Sequence, residues 1–169
     1  QVGELVRVTR PSTKAWIEAI GMDRFLVGWR PGSRDVHWER RITAISDKII
    51  TVDAPITTAM ETRFGGGRVQ KLTQWPGRIH HVGIEGLTLE SVPTNAHPKD
   101  EDHAWVGITV ENTQDAWVRQ VTFLKFAGSA VMLTETTKNV TVKDCLSLEP
   151  ISEIGGHRRD TFFTAGQQT

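Results

Sequence analysis

The chain has 169 residues, 38% of them hydrophobic and 15 of them glycine, a globular share that argues against disorder and allows one sizeable core or one domain with an attached element. Lysine plus arginine and aspartate plus glutamate balance at 20 each, so no overall field favours nucleic acid or an acidic membrane surface. No apolar run approaches a membrane span, so membrane insertion is not expected.

Residues 3–10 alternate well enough for a strand, which Pro11 ends. Ser12 is the expected N-cap of a short helix over 13–20, with Gly21 as its stop and Trp16, Ile17 and Ile20 sharing a packed face. Residues 25–38 read as a long connection with a turn at Pro31-Gly32, and loops rich in Trp and Arg often carry function. A hairpin is expected from 40–45 and 48–52 across Ser46-Asp47. Gly65-Gly66-Gly67 makes a flexible corner before 69–72. It lacks the spacing, the Lys-Ser/Thr pair and the following helix of a phosphate-binding loop.

Beyond residue 79 the chain repeats itself. Val106-Gly107-Ile108-Thr109-Val110, a polar turn and 118–123 form one copy; 130–133, a polar turn and 140–145 form the next. Ile108 to Val131 is 23 residues and Val118 to Val142 is 24. A period in this range, built only of short apolar runs and turns, predicts coils that stack into parallel sheets, because no single run can bury its apolar face alone. Ile108 should then lie under Val131, Val118 under Val142 and Val121 under Cys145. Asn112 and Asn139 suit the tight corners, since Asn tolerates left-handed backbone. Val142→Asp should therefore unfold the chain by burying an unpaired charge, and Cys145, the single cysteine, should be a small buried hydrophobe.

Two of these runs, Asn139-Val140-Thr141-Val142-Lys143-Asp144-Cys145 and His81-Val82-Gly83-Ile84-Glu85-Gly86-Leu87-Thr88-Leu89, resemble rungs of the right-handed parallel β-helix proteins similar to pectin lyases. The resemblance covers most of the chain from about residue 79. It implies a mostly-β fold: a right-handed parallel β-helix (a solenoid) over 76–169, after an irregular strand-rich segment over 1–75 with one short helix. It further implies a secreted protein, extracellular or periplasmic, acting on polysaccharide by lyase or glycoside hydrolase chemistry. That superfamily also holds epimerases and non-catalytic fibres, so the alternatives are a glycan-binding or structural β-helix of phage-tail or cell-surface type, or an inactive piece of a larger enzyme. The chain opens on Gln1 without a signal peptide, and 162–169 read as one more rung without a polar cap, so a longer parent protein is expected. Exposed solenoid edges predict a homo-oligomer.

Two polar excursions interrupt the rungs, 91–104 and 149–159. Both follow the same run of their coils, so they should protrude on one side, two rungs or roughly 10 Å apart. A lyase acting on uronates needs a cation or metal on the carboxylate, a base for the C5 proton and a donor for the leaving oxygen. Arg158 or Arg159 would supply the cation, and His157 or His103 the base. A glycosidase needs two carboxylates across the bond, for which Asp102 and Asp160 are the pair to test. The bland alternative is that these are solvated loop charges pairing with one another.

Asp100-Glu101-Asp102 is a candidate calcium cluster without EF-hand spacing. His80-His81 should point to opposite faces of a strand and so not chelate a metal together, and no zinc spacing occurs. Six Trp and no Tyr is an unusual aromatic choice. Trp29, Trp38, Trp75 and Trp105 sit in or beside expected loops, where a flat ring can stack on a sugar; Trp29, Trp38 and Trp105 are the candidates for substrate binding, and Trp117 is expected at a rung corner. The acidic calcium cluster with downstream Arg of pectate lyases is not found, nor are the Asp-rich motifs of polygalacturonase-like hydrolases.

Overall fold

Apolar residues alternating with polar ones at Val6 and Val8 make the first strand, β1 (Leu5–Arg10), in a computed structural model that describes residues 1–73 and 78–168. The fold is mostly β, with fourteen strands and one short α-helix among the described residues. The chain divides into two compact units, Gln1–Trp75 and Pro76–Thr169.

In the first unit, β2 (Val36–Ser46), β3 (Ile49–Val52) and β4 (Arg68–Lys71) join β1 in an antiparallel sheet of order β3-β2-β1-β4. Ser46 pairs with Ile49 across Asp47-Lys48, and Asp47 takes the left-handed φ of 51° that so tight a hairpin requires. Trp38 stands opposite Val8 and packs with Val6, Val8 and Ile42. The strand β2 thus starts well before the expected hairpin and takes Trp38 out of the loop.

The helix, α1 (Lys14–Ala19), is capped one residue later than expected. Thr13 Oγ1 accepts from the Trp16 amide at 3.3 Å. Ser12 is buried instead, its amide and hydroxyl both donating to Asp35 at 2.7 and 2.8 Å. That pairing holds the Asp35 carboxyl below its ordinary pKa, chiefly through the Ser12 amide. At the other end Gly21, at φ 73°, donates to Glu18 and Met22 donates to Ile17, so the helix closes in a Schellman motif on the expected glycine. Of the expected packed face Ile17 is buried, Trp16 is half-buried and Ile20 is exposed.

The second unit is built of short strands in three parallel sheets. These strands are β5 (Ile79–His80), β6 (Gly83–Glu85), β7 (Thr88–Glu90), β8 (Val106–Val110), β9 (Thr113–Arg119), β10 (Thr122–Leu124), β11 (Ser129–Leu133), β12 (Lys138–Lys143), β13 (Leu146–Leu148) and β14 (Phe162–Thr164). One sheet runs β13-β10-β7 and another β14-β11-β8, while in the third β9 lies between β12 on one side and β5 and β6 on the other. Every partner comes from the preceding or following pass of the chain. Ile108 pairs with Val131, and Ile84 and Val142 flank Val118. Thr122 pairs with Leu146, which puts Val121 and Cys145 at the same phase, as the repeat requires.

Left-handed corners recur at the same phase. His81, Asp115 and Asn139 stack with φ of 56°, 53° and 53°; Gly86, Gln120 and Asp144 follow at 69°, 54° and 55°; Lys125 and Glu149 repeat at 63° and 52°. Each costs an L-residue about 1 kcal/mol or more, a cost offset by the ladder bonds on either side of the bend. Asn139 Nδ2 donates to Asp115 Oδ1 at 2.6 Å, tying two corners together.

Inward side chains form one core: Val118, Val121, Phe123, Val131, Leu133 and Val140, with Cys145 and Val142 partly buried at its margin. Phe123 meets Phe126 edge to face at 6.0 Å. Gly107 is required beneath it, because a Cβ there would come within 2.5 Å of the Phe123 ring. Trp117 is not at a corner. It lies mid-strand on the outer face, flat over Gly83, where a Cβ would meet the indole at 2.0 Å, and its Nε1 donates to Glu85.

Candidate functional site

The two excursions leave the stack between β7 and β8 and between β13 and β14. Between them the middle pass goes from β10 to β11 through four residues only, 125–128. That short turn leaves the space above it open, and the two excursions close over it and bond to each other. Lys99 Nζ reaches Glu153 at 2.9 Å, and the Glu153 amide donates to Glu101 at 3.1 Å. Arg158 donates from Nε and Nη2 to the two oxygens of Glu101, a bidentate fork, while its guanidinium lies 5.2 Å over the Trp105 ring. Trp105 Nε1 donates to the Glu101 carbonyl at 3.1 Å. The expected 10 Å gap between the excursions is therefore replaced by direct contact.

The pair is also locked from beneath. His103 Nε2 faces two carbonyl oxygens, Asp100 and Ile151, each at 3.0 Å, so that nitrogen carries a proton. Its Nδ1 meets the buried Ser91 hydroxyl at 2.7 Å. One ring thus ties both excursions to the end of β7. Neither nitrogen is open to a substrate, so the reading of His103 as a general base is corrected: it is a latch.

The other candidates separate in the same way. Glu101 is held below its ordinary pKa by the Arg158 guanidinium, and Asp100 by the amides of Asp102 and Asn95, which its carboxylate accepts at 3.0 and 2.8 Å. Two of the three proposed calcium ligands are therefore already engaged, and Asp102 is exposed. Among the described residues no group of three or more His, Cys, Asp and Glu side chains is placed to hold a metal ion, which corrects the calcium expectation for Asp100, Glu101 and Asp102. Arg159, at φ 60°, donates to the Ser152 carbonyl and hydroxyl at 2.6 and 3.3 Å, a brace inside its own loop. Neither arginine offers a free fork for a uronate carboxylate.

Four candidates stay open to solvent: His157, Asp160, Asp102 and Trp105. His157 is 91% exposed and stands 3.7 Å from Asp160, and Asp102 is exposed on the other excursion. Trp105 is 39% exposed and is the aromatic surface of this face. Trp29 is half-buried against Trp16, at 6.0 Å between ring centres, with Arg34 over its other neighbourhood at 5.1 Å. Trp38 is 5% exposed, and its Nε1 donates to Thr57, so its substrate-binding role is corrected to a core role. Trp75 lies outside the described residues. His80 and His81 do not face apart: the left-handed turn at His81 breaks the alternation, and the two Nδ1 atoms meet at 2.8 Å.

The acidic side of this junction gives an expected result. The Glu101 carboxyl has an ordinary pKa of 4.5 and a lower one when folded, so its ionised form favours the folded loops. The contribution is complete above about pH 4.5 and is lost as pH falls through the lower folded value, when protonation removes the Arg158 fork. Trp105 fluorescence should change in that window in the native chain and lose the transition in Glu101→Gln; an identical acid profile in the variant would contradict the junction.

The excursion residues were legible as a polar cluster, but the partners Ser91, Lys99 and Glu153 carried no signal of their pairing. No family model matches the chain, and neither a curated protein nor a solved structure matches it.

Proposed function

We propose that residues 76–169 belong to a right-handed parallel β-helix, and that the protein is a secreted, carbohydrate-active one whose joined excursions form a polysaccharide-binding face rather than a lyase or hydrolase site. The repeat register and the recurring left-handed corners support the β-helix reading. The observation that carries the function is the junction itself: the Trp105 ring is partly open and held between the Glu101 carbonyl and the Arg158 guanidinium, while both candidate lyase cations, Arg158 and Arg159, and one of the two candidate bases, His103, are bonded within the protein. A fixed indole on loops that also expose Asp102, His157 and Asp160 offers a sugar an apolar surface with polar groups available in the same loops.

The hydrolase alternative rests on Asp102 and Asp160, both of which are exposed. Trp105→Ala separates binding from bystander contact. In affinity gel electrophoresis through soluble polysaccharide, the native chain should be retarded and the variant should lose at least about tenfold in affinity, the loss of one good stacking contact. Equal retardation of both would remove Trp105, and with it this face, from the account.

A further inference from the structure

Two arginines of the first unit are buried in one sheet, and they differ in a telling way. Arg40, in β2, has all its guanidinium nitrogens engaged: Nε donates to the Ala54 carbonyl, Nη1 to Glu39 and Nη2 to Pro55, at 2.8 to 2.9 Å. Arg10, at the end of β1, is 9% exposed and has none of these. Its Nε is buried without a hydrogen-bond partner, and no hydrogen bond or ion pair engages its other nitrogens among the described residues. The neighbouring Asp35 carboxylate is occupied by Ser12. A buried donor left in this state is costly, and in folded proteins such a group calls for a partner.

What Arg10 does have is a cavity and a fixed orientation. Its guanidinium lies 4.1 Å over the Trp16 ring, and Trp16 in turn packs on Trp29. Stacking holds the guanidinium by its face and leaves the N–H edge as the unengaged part. Arg10 and Trp16 line a cavity of about 190 Å³ together with Pro11, Ala59, Glu61 and Phe64. At about 30 Å³ per water, this is room for about six waters, too small for an oligosaccharide.

We propose that this cavity is a binding site for a small monocarboxylate, its carboxylate paired with the N–H edge of Arg10 and its body against Pro11, Phe64 and Ala59. A guanidinium edge matches a carboxylate bidentately. The wall also carries Glu61, which pairs with Arg63 at 2.7 Å, so the site has one unpaired cation and an anion beside it. That balance accepts one negative charge and disfavours a dianion such as phosphate. The apolar wall selects a short aliphatic or single-ring acid over the bare ion.

The test is titration of the whole ¹⁵N-labelled chain with benzoate, acetate and inorganic phosphate at constant ionic strength, following the Arg10 Nε–H and Trp16 indole resonances. Benzoate should shift both saturably, acetate more weakly and phosphate weakest. Arg10→Gln should abolish the response, and Arg10→Lys, which keeps the charge but not the fork, should weaken it at least about tenfold. Because Arg10 is buried, a variant at an exposed lining position guards against a folding artefact: Ala59→Phe should fill the cavity and block benzoate while the rest of the spectrum is retained. Phosphate binding tighter than benzoate, unchanged binding in Ala59→Phe, or no saturable shift with benzoate would each overturn the proposal.

Discussion

Val131→Asp is expected to unfold the second unit. Val131 is fully buried at the centre of β11, with Ile108 of β8 on one side and Phe162 of β14 on the other, so a carboxylate there would meet only apolar neighbours and carbonyls already bonded in the ladders. Burying an unpaired charge, with the packing lost around it, costs more than about 4 kcal/mol, a large fraction of a domain's whole stability. Val142→Asp should be milder, because Val142 is only partly covered whereas Val131 is fully buried. The order of the two, read from urea-unfolding midpoints, is the useful quantity. A Val131→Asp chain with the native midpoint would show that the repeat does not pack its apolar runs inward.

The second large effect is expected at Arg40. Its side chain is 2% exposed and its guanidinium ties the Ala54 and Pro55 carbonyls, in the segment after β3, to β2. Arg40→Met keeps the length and apolar stem but leaves these carbonyls, and that of Glu39, without their donor. Each lost charge-assisted bond in a buried setting is worth about 1.5–3 kcal/mol, partly offset because the charge itself no longer has to be desolvated, so a net loss of about 2–4 kcal/mol is expected. Thermal melting with Tm unchanged would place the 53–57 segment as independently held. The same comparison sharpens the contrast with Arg10, whose replacement removes no protein hydrogen bond among the described residues.

How much of this was legible depends on the kind of signal each residue carries. The phase of the repeat was readable because Ile108 and Val131, or Val118 and Val142, are apolar residues at equal spacing, and stacking demands that equal phases face the same way. The corners were only half readable. Asn112 and Asn139 advertise left-handed backbone by residue type, whereas Gln120, Lys125 and Glu149 adopt it under the pull of the ladders, with nothing in their chemistry to show it. In β2, Trp38, Glu39 and Arg40 are buried in succession, so the alternation that marks a strand is absent where the strand starts. Ser12 and Thr13 are equally good caps by type, and only the tertiary bond to Asp35 decides between them.

The candidate site shows the same division. Its two polar excursions stand out by composition, and their protrusion on one side follows from phase. Their closure onto each other does not, because it depends on the brevity of the 125–128 turn and on one arginine, Arg158, finding Glu101 rather than a ligand. A list of His, Asp and Arg residues in two loops describes a catalytic site and a salt-bridged junction equally well. The structure shows which groups are bonded: Arg158, Arg159, His103, Asp100 and Glu101 are engaged within and between the loops, and Trp105, Asp102, His157 and Asp160 are exposed.

The most direct measurement is a screen of this chain against neutral and acidic polysaccharides, with and without calcium, that records binding, new reducing ends and the ultraviolet absorbance of unsaturated uronate together. The account predicts retention on at least one polysaccharide, independent of calcium, with neither product. Reducing ends with the absorbance would restore lyase chemistry to the excursions, and reducing ends alone would assign Asp102 and Asp160 to hydrolysis; either result contradicts a face built only to bind.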